Sequence, residues 1–289
     1  MATPRKIRKI FKSQPTMEGA GVRLNRAFGF NELPLFDPFL LLDDFRSGNP
    51  AEYRKGFPWH PHRGIETITY MLEGSVEHQD SMGNRGVISA GDAQWMTAGS
   101  GIIHQEMPFG DNEGQMGGFQ LWANLPASQK MSEPRYRDIT DARIPKLHLQ
   151  NGVELRIICG QFGETAGPVN DIAIDPEYLD ITVPPETTWS HPIKQGHTAF
   201  AYVIAGKGLF CPEETSETGE FFGNGTLLLF TDGESVTIKT GEDSVRFLLI
   251  SGQPLNEPIA WQGPIVMNTE AELRTAFREY QNGTFIRHK

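Results

Sequence analysis

At 289 residues the chain is long for one compact core and comfortable for two domains of ordinary size. Its net charge of −10 opposes nucleic acid as the main partner, because docking on phosphates needs an excess of Lys and Arg. No apolar run approaches the roughly 20 residues of a membrane-spanning helix, and the basic MATPRKIRKIF lacks the apolar stretch of a secretory signal, so the expected compartment is the cytoplasm, or the nucleus in a eukaryote.

In chain order, the first feature is basic: Arg5, Lys6, Arg8, Lys9 and Lys12, read as a solvated first strand. From about residue 65 strand follows strand: ETITYML, SVEHQD, GVISA, AQWMTA, GIIHQE and GFQLWANL. Each is short, rich in β-branched or aromatic residues and bounded by Gly or polar turns such as MGNRG and SAGD. The Pro- and charge-rich SQKMSEPRYRDITDARIPKLHLQNG is expected to be a linker. A second strand series follows it: VELRIICG, YLDITV, HTAFAYVIAG, GTLLLF, SVTIKT and SVRFLLISG. Only TEAELRTAFREY has a helical pattern, with Thr269 and Glu272 at capping-box spacing and Leu273, Ala276, Phe277 and Tyr280 on one face.

The two series form a faint repeat. TITYMLEGSV (67–76) is similar to AFAYVIAGKG (199–208), which sets Gly74 opposite Gly206, and each half turns at a Gly-Asp or Asp-Gly pair (Gly91-Asp92, Asp232-Gly233). Two stacked copies of one antiparallel barrel explain the pattern. Cys159 and Cys211 lie far apart without CxxC spacing, so buried thiols rather than a disulfide are expected.

The chemistry-bearing residues lie in GFPWHPHRGIETITYMLEG (56–74) and GDAQWMTAGSGIIHQEMP (91–108). Residues two apart on a strand share a face, so His60 pairs with His62 and His104 with Glu106. A single HxH is more often two ordinary polar residues. A second same-face pair changes this, because burying three imidazoles and a carboxylate without a metal is costly. The donor set is too nitrogen-rich for calcium or magnesium and lacks the thiolates of a structural zinc site, which leaves a divalent first-row metal. Four protein ligands on an ion that prefers six leave two adjacent positions for water, dioxygen or substrate. His78, on an exposed-looking strand, and His148, His191, His197 and His288, with no partner at two-residue spacing, read as surface or ordinary structural residues.

Gly56, His60, His62, Glu66 and Gly74 resemble the first cupin motif, and Gly91, Gly101 and His104 the second. Over nearly its whole length the chain resembles the pirin family through DPFLLLDDF (37–45), HPHRGIETITYMLEG (60–74), GDAQWMTAGSGIIHQEMP (91–108), LWANLP (121–126) and GPIVMNT (263–269). The resemblance implies an all-β bicupin: two stacked cupin-type antiparallel β-barrels with a short C-terminal helix. The domains are expected at 1–147, metal-binding, and at 148–289, a degenerate cupin that carries the helix. It also implies iron, as Fe(II), on His60, His62, His104 and Glu106, with Glu66 outside the ligand set; the donors alone leave other divalent transition metals open. Laying Gly206 over Gly74 puts Pro192 and Lys194 where His60 and His62 stand, so the second copy is expected to bind no metal.

Two classes of function follow from the resemblance. One is quercetin 2,3-dioxygenase activity, in which dioxygen opens a flavonol ring with loss of carbon monoxide. Glu106 would then be the catalytic base, and Phe57, Trp59, Trp95, Met96 and Met107 the walls for a flat substrate. The other is a non-enzymatic redox or metal sensor that binds a transcription factor or a metabolic enzyme. Arg23, Arg26, Arg46, Arg54, Arg63 and Arg85, with the basic N-terminal stretch, are the candidate patch for such a partner. A monomer is expected in either case.

Overall fold

The computed structural model describes residues 3–212 and 219–288. Among the described residues the structure is all-β apart from short helical turns and one C-terminal helix, and the contacts divide into two units, Gln14–Asp141 with Leu255–Lys289 and Met1–Ser13 with Ala142–Pro254. Each is a cupin-type arrangement of open antiparallel sheets rather than a closed ring of strands.

In the first unit a seven-stranded sheet runs, in spatial order, Arg135–Ile139, Ala93–Thr97, Ile65–Glu73, Gly117–Asn124, Phe39–Asp44, Val22–Phe28 and Gln14–Glu18. A four-stranded sheet runs Phe57–His62, Ile102–Phe109, Ser75–Asp80 and Arg85–Ser89. Side-chain alternation is plain in Ser75–Asp80, where Val76, His78 and Asp80 are buried while their neighbours are only partly covered. Apolar residues of both sheets, among them Val22, Leu24, Met71, Val76 and Ile88, share one core cluster.

The same unit contains the C-terminal hairpin, Ala260–Gln262 and Ile265–Met267, and the helix Glu270–Gln281. The expected capping box is present: Thr269 Oγ1 accepts from the Glu272 amide at 3.2 Å, and Glu272 Oε2 accepts from the Thr269 amide at 2.9 Å. Leu273 and Ala276 bury against Ala260, Ile265, Met267 and Phe285, while Tyr280 at the end of the face is 39% exposed.

The second unit is a ten-stranded system built around the long strand Thr198–Phe210, which pairs with strands on both sides and joins two ladders. Its core is a large aliphatic and aromatic cluster that includes Leu155, Leu179, Trp189, Phe210 and Phe247. Ile7–Lys12 pairs with Thr226–Phe230.

Four expectations need correction. The 1–147 and 148–289 division fails at both ends. The first strand takes its hydrogen bonds from Thr226–Phe230, and the helix finds its apolar partners beside the ligand strands, so each terminus belongs with the other half. The stretch read as a linker contains Arg135–Ile139, which pairs in full with Ala93–Thr97. Arg5 is not solvated: its buried guanidinium donates to the carbonyls of His197, Thr231 and Lys194. The arginine patch is also largely committed elsewhere, because Arg26 is bidentate on Asp43, Arg46 bonds Asp44 and Arg63 is buried on Glu279. Among the described residues no helix is long and apolar enough to cross a membrane.

Candidate metal centre

His60 and His62 lie on the first ligand strand, Phe57–His62, and His104 and Glu106 on its partner, Ile102–Phe109. Antiparallel pairing sets His104 directly opposite His60 and Ile102 opposite His62. The register slips between His104 and Glu106, so that Glu106 faces Phe57; a bulge of this kind re-aims side chains at the end of a ladder.

The three imidazoles converge. His60 Nε2 lies 3.0 Å from His62 Nε2 and 2.9 Å from His104 Nε2, and one nitrogen from each ring falls within 4.8 Å of the others. Glu106 is beside them, its Oε2 3.9 Å from His104 Nε2. Two carbonyls settle the tautomers of two rings. His60 Nδ1 donates to Pro58 O at 2.8 Å and His62 Nδ1 to Pro264 O at 3.1 Å, so both Nε2 atoms carry lone pairs. Burial, only partly offset by these carbonyls, lowers the pKa of His60 and His62, and burial with the neighbouring imidazoles drives His104 well down. All three rings are therefore neutral near pH 7. Two lone pairs 3.0 Å apart with no proton between them repel, and a shared cation removes the conflict. Nitrogen donors about 2.1 Å from one ion and at right angles to each other stand about 3.0 Å apart, which matches the observed spacing. The residues fit a metal.

Burial raises the Glu106 carboxyl to about 7. Glu66 lies outside this cluster: its buried carboxylate accepts from Thr97 Oγ1 at 2.6 Å. His78 is buried rather than exposed, with Nε2 2.9 Å from Gln94 Nε2 and its ring stacked on Tyr136. His191 and His197 are buried too, His191 against both oxygens of Glu177 at 3.0 Å; His148 and His288 are more exposed.

The centre adjoins a cavity of about 580 Å³ whose lining includes His60, His62 and Glu106. Phe30, Phe57, Trp122 and Trp261 supply aromatic surface, while Arg26, Asp43, Thr69 and Gln120 supply a polar wall. Of the five expected walls only Phe57 lines it. Trp95 and Met96 are fully buried in the sheet, Trp59 is 47% exposed, and Met107 packs beside Gly56. Trp122 and Trp261 take their place. Trp122 meets His62 edge-on with centroids 5.0 Å apart, and Trp261 lies 6.0 Å from Trp122. Trp122 shares the alternating face of Gln120 and was findable from strand periodicity. Trp261 and Pro264 arrive from the far end of the chain and leave no local signal.

Residues 21–123 match the family described as Pirin, and residues 178–286 match the Pirin C-terminal cupin domain. A pirin-like protein of Caulobacter vibrioides is 43% identical over 97% of this chain and 99% of its own length. A Pseudomonas aeruginosa protein, whose name gives quercetin 2,3-dioxygenase as an unproven activity, is 41% identical over 98% of this chain and 99% of its own. Among solved structures, a quercetin 2,3-dioxygenase from Acinetobacter baumannii superposes with a TM-score of 0.86 at 30% identity, over 97% of this chain and 98% of that one. A bacterial pirin of Escherichia coli in complex with nickel(II) shares the fold, with a TM-score of 0.64 at 23% identity, over 85% of this chain and 98% of that one.

Proposed function

Since the chain belongs to the pirin family, we propose that it is an iron-dependent quercetin 2,3-dioxygenase that opens a flavonol-like ring with dioxygen. The observation that carries this reading is the convergence of three neutral imidazoles beside an aromatic-lined cavity that His60 and His62 help to line. A cavity of about 580 Å³ lies within the usual range for sites that enclose a drug-sized molecule.

His60, His62 and His104, with Glu106, would hold the metal. When bound, the metal supplies Lewis acidity, which lowers the pKa of a coordinated hydroxyl and favours the electron-rich flavonolate. Glu106 lines the same cavity, and its carboxylate, when released from the metal, would receive the 3-hydroxyl proton. Phe57, Trp122 and Trp261 present apolar faces to a flat ligand and keep water from the reacting end. Arg26, Asp43, Thr69 and Gln120 offer hydrogen-bonding partners for ring hydroxyls.

Iron(II) is the metal we propose; nickel, manganese, cobalt, copper and zinc accept the same donors, and elemental analysis of the purified protein decides among them. The test of the activity is anaerobic loading with iron, then exposure of quercetin and protein to air. Loss of the near-visible quercetin absorption with release of carbon monoxide is expected. Intact metal binding without turnover for any of these metals would overturn the enzymatic reading in favour of a metal or redox sensor.

A further inference from the structure

The first ligand strand does not end at its histidines. After His62 the chain passes through Arg63 and Gly64, and both residues are enclosed by the C-terminal segment. Pro264 O receives the His62 Nδ1 proton, the Val266 amide donates to Arg63 O at 3.0 Å, and Arg63 forms a parallel bridge with Ile265. A Cβ at Gly64 would run into the Val266 carbonyl, so the two backbones are in direct contact.

Two buried cations fasten this contact. Arg63, 2% exposed, donates to Ser100 O at 2.6 Å, Glu279 Oε2 at 2.7 Å and Phe285 O at 2.9 Å, with the Phe285 ring 4.2 Å away. Lys130, also 2% exposed, spends its three protons on Gly64 O at 2.9 Å, Asn124 Oδ1 at 2.7 Å and Val266 O at 3.0 Å. Two of the three donors join the backbone that follows the ligand strand to the C-terminal hairpin, and the third anchors the ammonium on Asn124.

We infer that the C-terminal segment 260–285 is a positioning element for the metal centre, and that its docking and metal binding are energetically coupled. The Pro264 carbonyl holds the His62 ring in the tautomer that points Nε2 at the ion; Arg63 and Lys130 hold that carbonyl in place. A partner that orients a ligating imidazole typically governs metal affinity by about 10–100-fold. Coupling is reciprocal, so metal binding tightens the segment by the same factor. Metal occupancy thereby reaches the helix Glu270–Gln281 through Arg63 and Glu279.

The inference rests on the metal reading above, and two measurements with Co(II) as the probe separate them. In the wild-type protein, Co(II) should slow hydrogen exchange at the Val266 amide beyond any slowing at the Met71 amide, which bonds Asp92 O in the same unit. In Lys130→Met, which fills the space but donates nothing, Co(II) affinity should fall at least tenfold with altered visible bands, while all four ligands remain. A role confined to folding would lower thermal stability and leave Co(II) affinity and bands unchanged, and that result overturns the inference. If Lys130→Met does not fold, the wild-type exchange experiment decides: equal protection of Val266 and Met71 overturns it. No Co(II) binding by the wild type would overturn the metal reading and this inference together.

Discussion

The two cupin units share a strand grammar and differ at one address. Gly74, between the strands Ile65–Glu73 and Ser75–Asp80, and Gly206, within the long strand Thr198–Phe210, both adopt positive φ, 69° and 64°. Upstream of Gly74 the strand delivers His60 and His62 to a cavity. Upstream of Gly206 the matching positions are Pro192, which ends the strand Thr188–Pro192, and Lys194, whose exposed ammonium pairs with Asp175. The buried histidine there, His191, packs against the rings of both Phe162 and Trp189, which also meet each other, and faces Glu177. The fold thus supplies a place where strand residues can converge, and the residues at two positions decide whether that place becomes a donor set or a packed core.

The sharpest way to break this contrast is to empty one side of it. His62→Ala removes a donor whose ring is fixed by both Pro264 and Trp122, and should weaken metal binding by about 100-fold or more, beyond the loss typical of an orienting partner. His191→Ala should leave metal content unchanged. Elemental analysis of the two variants purified in parallel checks both, and equal loss in both would end the distinction between the units.

The shared glycine is tested next. Gly74→Ala places a Cβ against Phe109 O, and Gly206→Ala places one against Ser244 O, each at a φ that L-residues rarely adopt. Each should cost about 2 kcal/mol or more. Thermal or urea unfolding of both variants should show comparable losses; a loss in only one would mean that the two glycines are not equivalent.

Much of this was legible because strand alternation is local. SVEHQD, AQWMTA and GIIHQE fall within or next to observed strands, and Thr269 and Glu272 announced the helix start. The donor pairs were legible for the same reason, since two-residue spacing is a property of the strand itself. What stayed hidden depends on distant pairing. Nothing in IRKIFK says that it will join Thr226–Phe230, and nothing in GPIVMNT says that Pro264 will meet His62. His78 and Trp95 were misjudged because one strand shows which residues share a face but not which face is covered.

A smaller effect concerns charge at the centre. Burial raises the Glu106 carboxyl from an ordinary 4.5 to about 7, so between those pH values the metal-free folded protein holds a proton that the unfolded chain has released. Stability of the metal-free protein is therefore lost as pH rises through this window, and above it the deficit is constant. Glu106→Gln removes the group. Its metal-free form should exceed wild type by about 1–3 kcal/mol near pH 8, with the difference gone near pH 4. Urea unfolding at the two pH values checks the sign.

The least disruptive change sharpens the comparison at the cavity wall. Trp189 in the second unit is 5% exposed and belongs to the core, whereas Trp261 in the first is half-buried and faces open space beside Trp122 and Phe30. An aromatic pair contributes about 0.5–1.5 kcal/mol beyond its buried area. If Trp261 offers a comparable contact to a bound flavonol, Trp261→Leu should weaken quercetin binding to the metal-loaded protein by about three- to tenfold. All four metal donors remain, so metal content reports separately on the hairpin, where the Trp261 indole donates to Gly263 O beside the Pro264 carbonyl that orients His62. Fluorescence titration with quercetin, beside elemental analysis of the same sample, separates wall from centre. A loss of metal in Trp261→Leu would mean that the indole supports the donor set itself, and unchanged affinity would move the aromatic ligand away from this wall.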